Sequence, residues 1–149
     1  GSKSVEELKT IVSWAERPFI IKGIMTARGA EKALEAGASG IVVSNHGGRV
    51  LDHCPATAEV LPEIADAVGG KMTIFVDGAV RSGMDIFKAL ALGADAVLIG
   101  RPFVTAVYGG GEEGVQCYVQ KLKAELADTM RMCGAHSLAE IDRSMIYHG

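Results

Sequence analysis

The sequence predicts an α/β fold of the TIM-barrel type, in which about four βα units form half of a (β/α)8 barrel. Three observations lead to this fold class. Short apolar runs alternate with amphipathic stretches, the runs are apolar at consecutive positions as in strands buried on both faces of a parallel sheet, and the segment Ala33–Ser44 recurs as Ala89–Gly100. A complete barrel needs about 250 residues. A chain of 149 residues is therefore expected to supply half of one.

The apolar runs predict four strands, each followed by a helix. The predicted strands are Phe19–Ile21, Ile41–Val43, Thr73–Val76 and Ala96–Ile99. The predicted helices are Val5–Ala15, Ala27–Ala36, Thr57–Val68, Gly83–Leu92 and a longer C-terminal helix, Val115–Cys133. Trp14 is expected on the packing face of the first helix. The segment Gly109–Gly114 does not lie between a strand and the helix of a βαβ unit, so it predicts a flexible linker rather than a dinucleotide loop.

Composition excludes several classes of protein. The chain is 48% hydrophobic and 22% charged, with a net charge of −3 and no basic stripe of the kind that binds nucleic acid. No apolar run reaches the roughly 18 residues that a membrane span needs. The first residues lack the pattern of a secretory signal, so a cytosolic location is expected. Gly1 and Ser2 resemble an expression scar, which leaves residues 3–149 as one domain.

The cysteines do not suggest a metal site or a disulfide framework. Cys54, Cys117 and Cys133 are far apart in the sequence, and none belongs to a CxxC or a Cys/His pattern. Reduced thiols are expected, and no metal is predicted.

The densest group of chemically active residues, Ser44–Asp52, follows the second predicted strand. His46 stands just past a strand's carboxyl end, where barrel enzymes place their working groups. Gly47 allows close approach of the backbone to a ligand, and Arg49 offers a fork of donors for a carboxylate. These residues favour removal of a proton next to a carboxylate. The alternative is a turn whose glycines only permit tight geometry.

Two loops with arginines follow the third and fourth strands. They are Asp77–Arg81 and Gly100–Pro102. Small residues followed by arginine at a strand end present backbone N–H groups and a cation to phosphate. Barrels often hold phosphate between the loops that follow their last two strands. The alternative for each loop is a helix N-terminus with a surface arginine.

Lys22 ends the first apolar run. A buried strand end rarely holds lysine without an anionic partner, and a ligand that becomes negative during turnover would be one. A side chain that reaches solvent at the barrel rim is the alternative.

With these residues in view, the chain resembles the FMN-dependent α-hydroxy-acid dehydrogenase family, which includes oxidases of glycolate and lactate. The resemblance runs from about Val5 to Ile146. Its segments, in order, are Ser44–Asp52, Asp77–Arg81, Lys88–Gly93 and Ile99–Pro102. It implies strands five to eight of a (β/α)8 barrel, FMN as cofactor, and oxidation of an L-2-hydroxy acid to the 2-oxo acid. Oxygen or another acceptor would then take the electrons.

The resemblance also implies a role for each residue at the reacting end of the site. His46 would accept a proton from the substrate, with carbanion and hydride routes both open, and Arg49 would bind its carboxylate. Lys22 would stabilise the anionic reduced ring near N1 and C2=O, and Ser44 would hydrogen-bond the ring's pyrimidine edge. His46 and Gly47 are also expected to bind the cofactor.

For the phosphate end, the resemblance implies that the loops after strands seven and eight hold the ribityl chain and the phosphate. The residues concerned are Asp77, Gly78, Ala79, Arg81, Gly100 and Arg101. Ala79 replaces a usual second glycine, which is tolerated only if φ there is negative. Ser82 stands where a second arginine is common.

The first four strands of the family barrel, which supply the substrate tyrosines and the aspartate that orients the base, have no counterpart in this sequence. An open half-barrel leaves one sheet face and the strand edges uncovered, so a homodimer or higher oligomer is expected. The alternative to catalysis is a truncated half-barrel that binds FMN or phosphate weakly, or only self-associates.

Overall fold

The computed structural model describes residues 3–147. Its main elements in chain order are α1 (Val5–Ala15), β1 (Ile20–Ile24), α2 (Ala27–Glu35), β2 (Gly40–Val43), α3 (Thr57–Val68), β3 (Thr73–Val76), α4 (Gly83–Ala91), β4 (Ala96–Val97) and α5 (Arg101–Cys133). Short 3₁₀ helices lie at His46–Gly48, Leu138–Glu140 and Arg143–Met145. The expectation that Gly1 and Ser2 are an expression scar concerns residues outside the described range.

The sheet confirms the predicted fold class. Its four strands are parallel and lie in the order β1-β2-β3-β4, with helices between them, which is the arrangement of a half-barrel. β1 runs on to Ile24 rather than ending at Ile21, because Lys22 and Ile24 still pair with β2. β4 ends at Val97 rather than Ile99, because its register with β3 covers Ala96 and Val97 only.

One face of the sheet packs against helices and carries the core. Side chains alternate along each strand, and Ile41, Val43, Ile74 and Val76 join residues of α2, α3 and α4 in one buried cluster. The opposite face bears the row Lys22, Val42, Phe75 and Ala96, which the strand register aligns. Ile20 lies on this second face and its residue is 46% exposed. This face, called the inner face below, is the one that would line a barrel.

Local sequence signals explain where the helices begin. Ser4 and Glu7 form a reciprocal capping box at α1, and Ser82 and Asp85 form one at α4. At α3 the Glu59 carboxylate accepts from the N–H of Ala56 at 2.6 Å. The expectation for Trp14 is wrong, because the residue is 73% exposed and no residue of α1 is buried.

Helix α5 is a hairpin rather than a 33-residue rod. Gly110 and Gly111 have non-helical backbone angles, and they separate a first arm (residues 101–109) from a second arm (residues 112–133). The rings of Phe103 and Tyr118 lie 5.0 Å apart, whereas residues 15 positions apart in a straight helix are separated by about 22 Å. The second arm therefore folds back along the first.

The prediction of a flexible linker over Gly109–Gly114 is thus wrong in extent. The last helix begins at Arg101 rather than Val115, and only two residues of Gly109–Gly114 interrupt it. Gly114 is required for close packing, because a Cβ there would lie 2.2 Å from the carbonyl oxygen of Ala106. Gly114 thus serves contact between the arms, whereas Gly110 and Gly111 form the turn that joins them. Within residues 3–147, no helix is long and apolar enough to cross a membrane.

Candidate functional site

A cleft of about 1120 Å³ opens at the carboxyl ends of the strands. It is bounded by loops after β2, β3 and β4, by Lys22 of β1 and by both arms of α5. The predicted site residues that line it are Lys22, His46, Gly47, Arg49, Asp77, Gly78, Ala79, Arg81, Gly100 and Arg101. Ser44 lies beneath the cleft and is 2% exposed. Parallel strands bring together residues that are distant in sequence, because their carboxyl ends meet at one edge.

Lys22 has an anionic partner within this chain. Its Nζ donates to Asp77 Oδ2 at 2.7 Å and to Ser44 Oγ at 2.6 Å. Ser44 directly follows β2, and Asp77 directly follows β3. The lysine side chain is nevertheless 48% exposed, which agrees with a side chain that reaches solvent at the rim, while a ligand as its partner stays a prediction. Since an ammonium has three donors, these two bonds leave one N–H for an acceptor in the cleft.

His46 is held through its backbone. Its N–H donates to Ser44 Oγ at 3.2 Å, and its φ is +58°, a left-handed value uncommon outside glycine. Gly47 and Gly48 continue this conformation at +66° and +71°. The side chains of His46 and Arg49 are exposed, and no hydrogen bond from residues 3–147 orients the imidazole. The backbone of the loop is hydrogen-bonded, whereas no hydrogen bond within residues 3–147 holds the side chain of His46 or Arg49.

The loop from Asp77 to Arg81 is anchored from below. Thr57 Oγ1 donates to the carbonyl oxygen of Asp77 at 2.6 Å, and a Cβ at Gly78 would lie 2.7 Å from that hydroxyl. Within the described residues, the N–H groups of Gly78 and Ala79 donate to no acceptor. Donors held in this way beside a cation suit a phosphate or a polyol chain.

Ala79 does not have the negative φ that alanine is expected to require at this position. Its φ is +57°, following +106° at Gly78. An L-residue in the left-handed region carries a cost of about 1–2 kcal/mol. The loop therefore accommodates alanine with strain, rather than by taking a negative φ.

Asp85 fixes the far end of this loop. Its Oδ2 accepts from the N–H groups of Arg81 and Ser82, both at 3.0 Å. Burial raises the pKa of Asp85, but these bonds outweigh burial and leave the pKa below its usual value. Ser82, in the place of a common family arginine, is the N-cap of α4 and accepts from the Asp85 N–H.

Arg101 begins α5 and turns toward the loop of His46. Its guanidinium Nη2 would lie 3.3 Å from a Cβ at Gly47. The first turn of α5 contributes the positive end of a helix dipole at the same point. Arg81 and Arg101 therefore face one cleft from neighbouring βα units.

Sequence reasoning missed several residues of the site. Tyr118, Lys121 and Cys117 line the cleft from the second arm of α5, and Thr57 supports it from α3. Tyr118 and Lys121 are three residues apart on one helix face, but only the hairpin brings that face to the cleft. The three cysteines are unpaired thiols in the described structure.

The donors of the cleft fit FMN. Two guanidinium groups, the N–H groups of Gly78 and Ala79 and the N-terminus of α5 suit a phosphate. Lys22 offers a remaining donor for a ring oxygen or nitrogen, and Gly78 keeps side-chain atoms out of the loop. The assignment of each residue to one part of the cofactor stays a prediction.

Comparison with known proteins agrees with this geometry. Residues 1–148 match the family described as FMN-dependent dehydrogenase. The chain is 46% identical to a peroxisomal (S)-2-hydroxy-acid oxidase of Oryza sativa subsp. japonica, over 97% of this chain and 38% of that protein. Two solved structures, each with a TM-score of 0.90, cover nearly all of this chain: a mandelate oxidase with benzoyl-formic acid (41% identity, 96% of this chain and 43% of that one) and a Pediococcus acidilactici lactate oxidase (42%, 95% and 40%).

The match identifies the part of the family fold that the chain contains. It spans less than half the length of these relatives and corresponds to their C-terminal part. The family is one of FMN-dependent 2-hydroxy-acid oxidoreductases, and the predicted resemblance is confirmed. This chain belongs to the FMN-dependent dehydrogenase family.

Proposed function

We propose that this chain carries the base, the carboxylate clamp and the cofactor phosphate site for FMN-dependent oxidation of an L-2-hydroxy acid to the 2-oxo acid. The observation that supports it is the convergence of His46, Arg49, Lys22, Arg81 and Arg101 on one cleft at the carboxyl ends of parallel strands. Lactate-like or glycolate-like acids are the proposed substrates, because relatives are named as oxidases of such acids.

Each ionisable residue of the cleft has a separate role in the proposed reaction. Arg49 binds the substrate carboxylate, which places the hydroxyl-bearing carbon near His46. The His46 imidazole takes the proton that leaves that carbon or its hydroxyl. FMN, when bound, would supply the acceptor for the two electrons and for the substrate's second hydrogen, in the carbanion and the hydride route alike. Asp77 and Ser44 hold the Lys22 ammonium in place, and its remaining N–H would bind the cofactor ring and stabilise negative charge there.

A second candidate function is binding without turnover. No hydrogen bond within residues 3–147 orients the His46 ring, and a base must be held in a productive position to act. A half-barrel of this kind binds FMN or phosphate weakly, or only self-associates through its inner face. We also propose a homodimer or higher oligomer, because Ile20 on the inner face is 46% exposed. A cytosolic location stays a prediction.

Equilibrium dialysis against FMN tests the phosphate site. We expect micromolar binding by the unaltered chain, and a loss of at least about 100-fold in an Arg81→Ala, Arg101→Ala double variant, because each charge-assisted bond is lost. A matched control is Arg17→Ala, Arg131→Ala, which removes two exposed arginines outside the cleft. Equal losses in both variants, or no binding by the folded chain, would contradict the proposal.

Turnover distinguishes the two candidate functions. With FMN bound and oxygen excluded, loss of the oxidised flavin absorbance on adding an L-2-hydroxy acid indicates catalysis. The His46→Gln variant is expected to bind FMN without this change. Binding that is never followed by bleaching supports the second candidate.

A further inference from the structure

Tyr118 lies on the second arm of α5 and contacts the loop of Arg81 and the first turn of α5, which bears Arg101. We propose that it is a positioning residue, which holds the Arg81 loop and the start of α5 at the separation at which both guanidinium groups reach one phosphate. This inference rests on the proposed FMN site and assigns a role to a side chain that no sequence motif singled out.

The first contact is with the Arg81 loop. Tyr118 OH donates to the carbonyl oxygen of Arg81 at 2.9 Å. The N–H of the same residue donates to Asp85 at 3.0 Å. Arg81 is thus held at both ends of its backbone, from two different helices, and its guanidinium is left to face the cleft.

The second contact is with the start of α5. The Tyr118 ring meets the ring of Phe103 edge-on, with centroids 5.0 Å apart and planes at 74°. Phe103 lies two residues after Arg101. One side chain therefore spans from the backbone of one phosphate arginine to the helical turn that bears the other.

Contacts with other elements hold the second arm of α5 in position, and they therefore also fix the position of Tyr118. Gly114 packs against Ala106 across the hairpin, and Glu125 accepts from the Gly83 N–H at 2.8 Å at the start of α4. Burial raises the pKa of the Tyr118 phenol, which keeps it a hydrogen-bond donor across the neutral range. The hydroxyl can therefore donate to the Arg81 carbonyl oxygen throughout this pH range.

The test compares FMN with riboflavin, which has the same ring system and ribityl chain but no phosphate. Tyr118→Phe keeps the ring against Phe103 and removes only the hydroxyl. We expect FMN affinity to fall about five- to tenfold while riboflavin affinity is unchanged, because one hydrogen bond that supports the phosphate site is lost. Tyr108→Phe is the matched control, since Tyr108 is 89% exposed and does not line the cleft.

Each outcome decides the inference. Equal losses for FMN and riboflavin would show a general structural role and overturn it, as would unchanged affinity for both. If the unaltered chain binds neither flavin, the proposed FMN site fails, and amide hydrogen exchange of residues 79–83 then decides the matter without ligand. Faster exchange there in Tyr118→Phe, with unchanged exchange in α3, supports a role in holding the loop. Equal exchange rates overturn it.

Discussion

Ala79 concentrates backbone strain next to a proposed phosphate contact. Gly78 and Ala79 are consecutive residues with positive φ, and only the first is a glycine. The anchors at Thr57 and Asp85 hold the loop on either side, so the backbone cannot relax by moving as a whole. The conformation is therefore set by the surrounding contacts, against the preference of the residue itself.

Replacing Ala79 by glycine should stabilise the chain. Relief of the left-handed backbone outweighs the larger unfolded-state entropy of glycine, so we expect the free energy of unfolding to rise by about 0.5–1 kcal/mol in urea denaturation. Ala124→Gly, at an exposed position in the second arm of α5, is the control and should lower it by about 1 kcal/mol. A lower free energy of unfolding in Ala79→Gly would contradict the presence of backbone strain at residue 79.

Residues at strand ends could be predicted from the sequence, whereas residues that depend on helix packing could not. Asp77 directly follows an apolar run and His46 comes three residues after the end of one, and parallel strands bring such positions together. Thr57 and Tyr118 act through single bonds to carbonyl oxygens 20 and 37 residues away. Nothing in their local sequence marks those partners, because the partners are set by how α3 and α5 pack.

At the scale of the element, the α5 hairpin brings three additional side chains to the cleft. The glycine-rich segment looked like a linker because each glycine costs a helix about 1 kcal/mol relative to alanine. Tertiary contact overrides that preference, since Gly114 packs on Ala106 and the Phe103 and Tyr118 rings meet. The strands and the first four helices needed no such contact to be recognised, because their hydrophobic periodicity is local.

Adding a methyl group at the hairpin should separate its arms. Gly114→Ala is expected to lower the free energy of unfolding by about 1–3 kcal/mol, because the new Cβ would lie 2.2 Å from the Ala106 carbonyl oxygen. Gly109→Ala is the control, since a Cβ there meets nothing within 4 Å and should be neutral or stabilising. Urea denaturation followed by circular dichroism measures both. Similar effects of the two substitutions would argue against close packing of the arms.

At the scale of the whole molecule, the inner face of the sheet exposes Ile20, and Leu98 beyond β4 is 40% exposed. The helix-covered face was predictable from the buried runs. The surface that covers the inner face could not be predicted, because local sequence does not identify it. Apolar side chains on an uncovered face favour association with a complementary surface, and a second copy offers one.

Sedimentation velocity at tens of micromolar should show a dimer or larger species. Ile20→Lys places a charge on the inner face and should shift the population toward monomer. Met132→Lys, which alters an 88% exposed methionine near the end of α5, should not. A monomer for the unaltered chain across this range would contradict association through the inner face.

The order of the strands also affects how the chain folds. Each strand after β1 pairs in parallel with the strand that directly precedes it, so every pairing closes only one intervening helical unit. Parallel sheets generally fold slowly because their contacts are distant in sequence, and this winding keeps the distances near the minimum that a parallel sheet allows. During synthesis, each new strand can therefore pair with the edge of the strand that was made just before it.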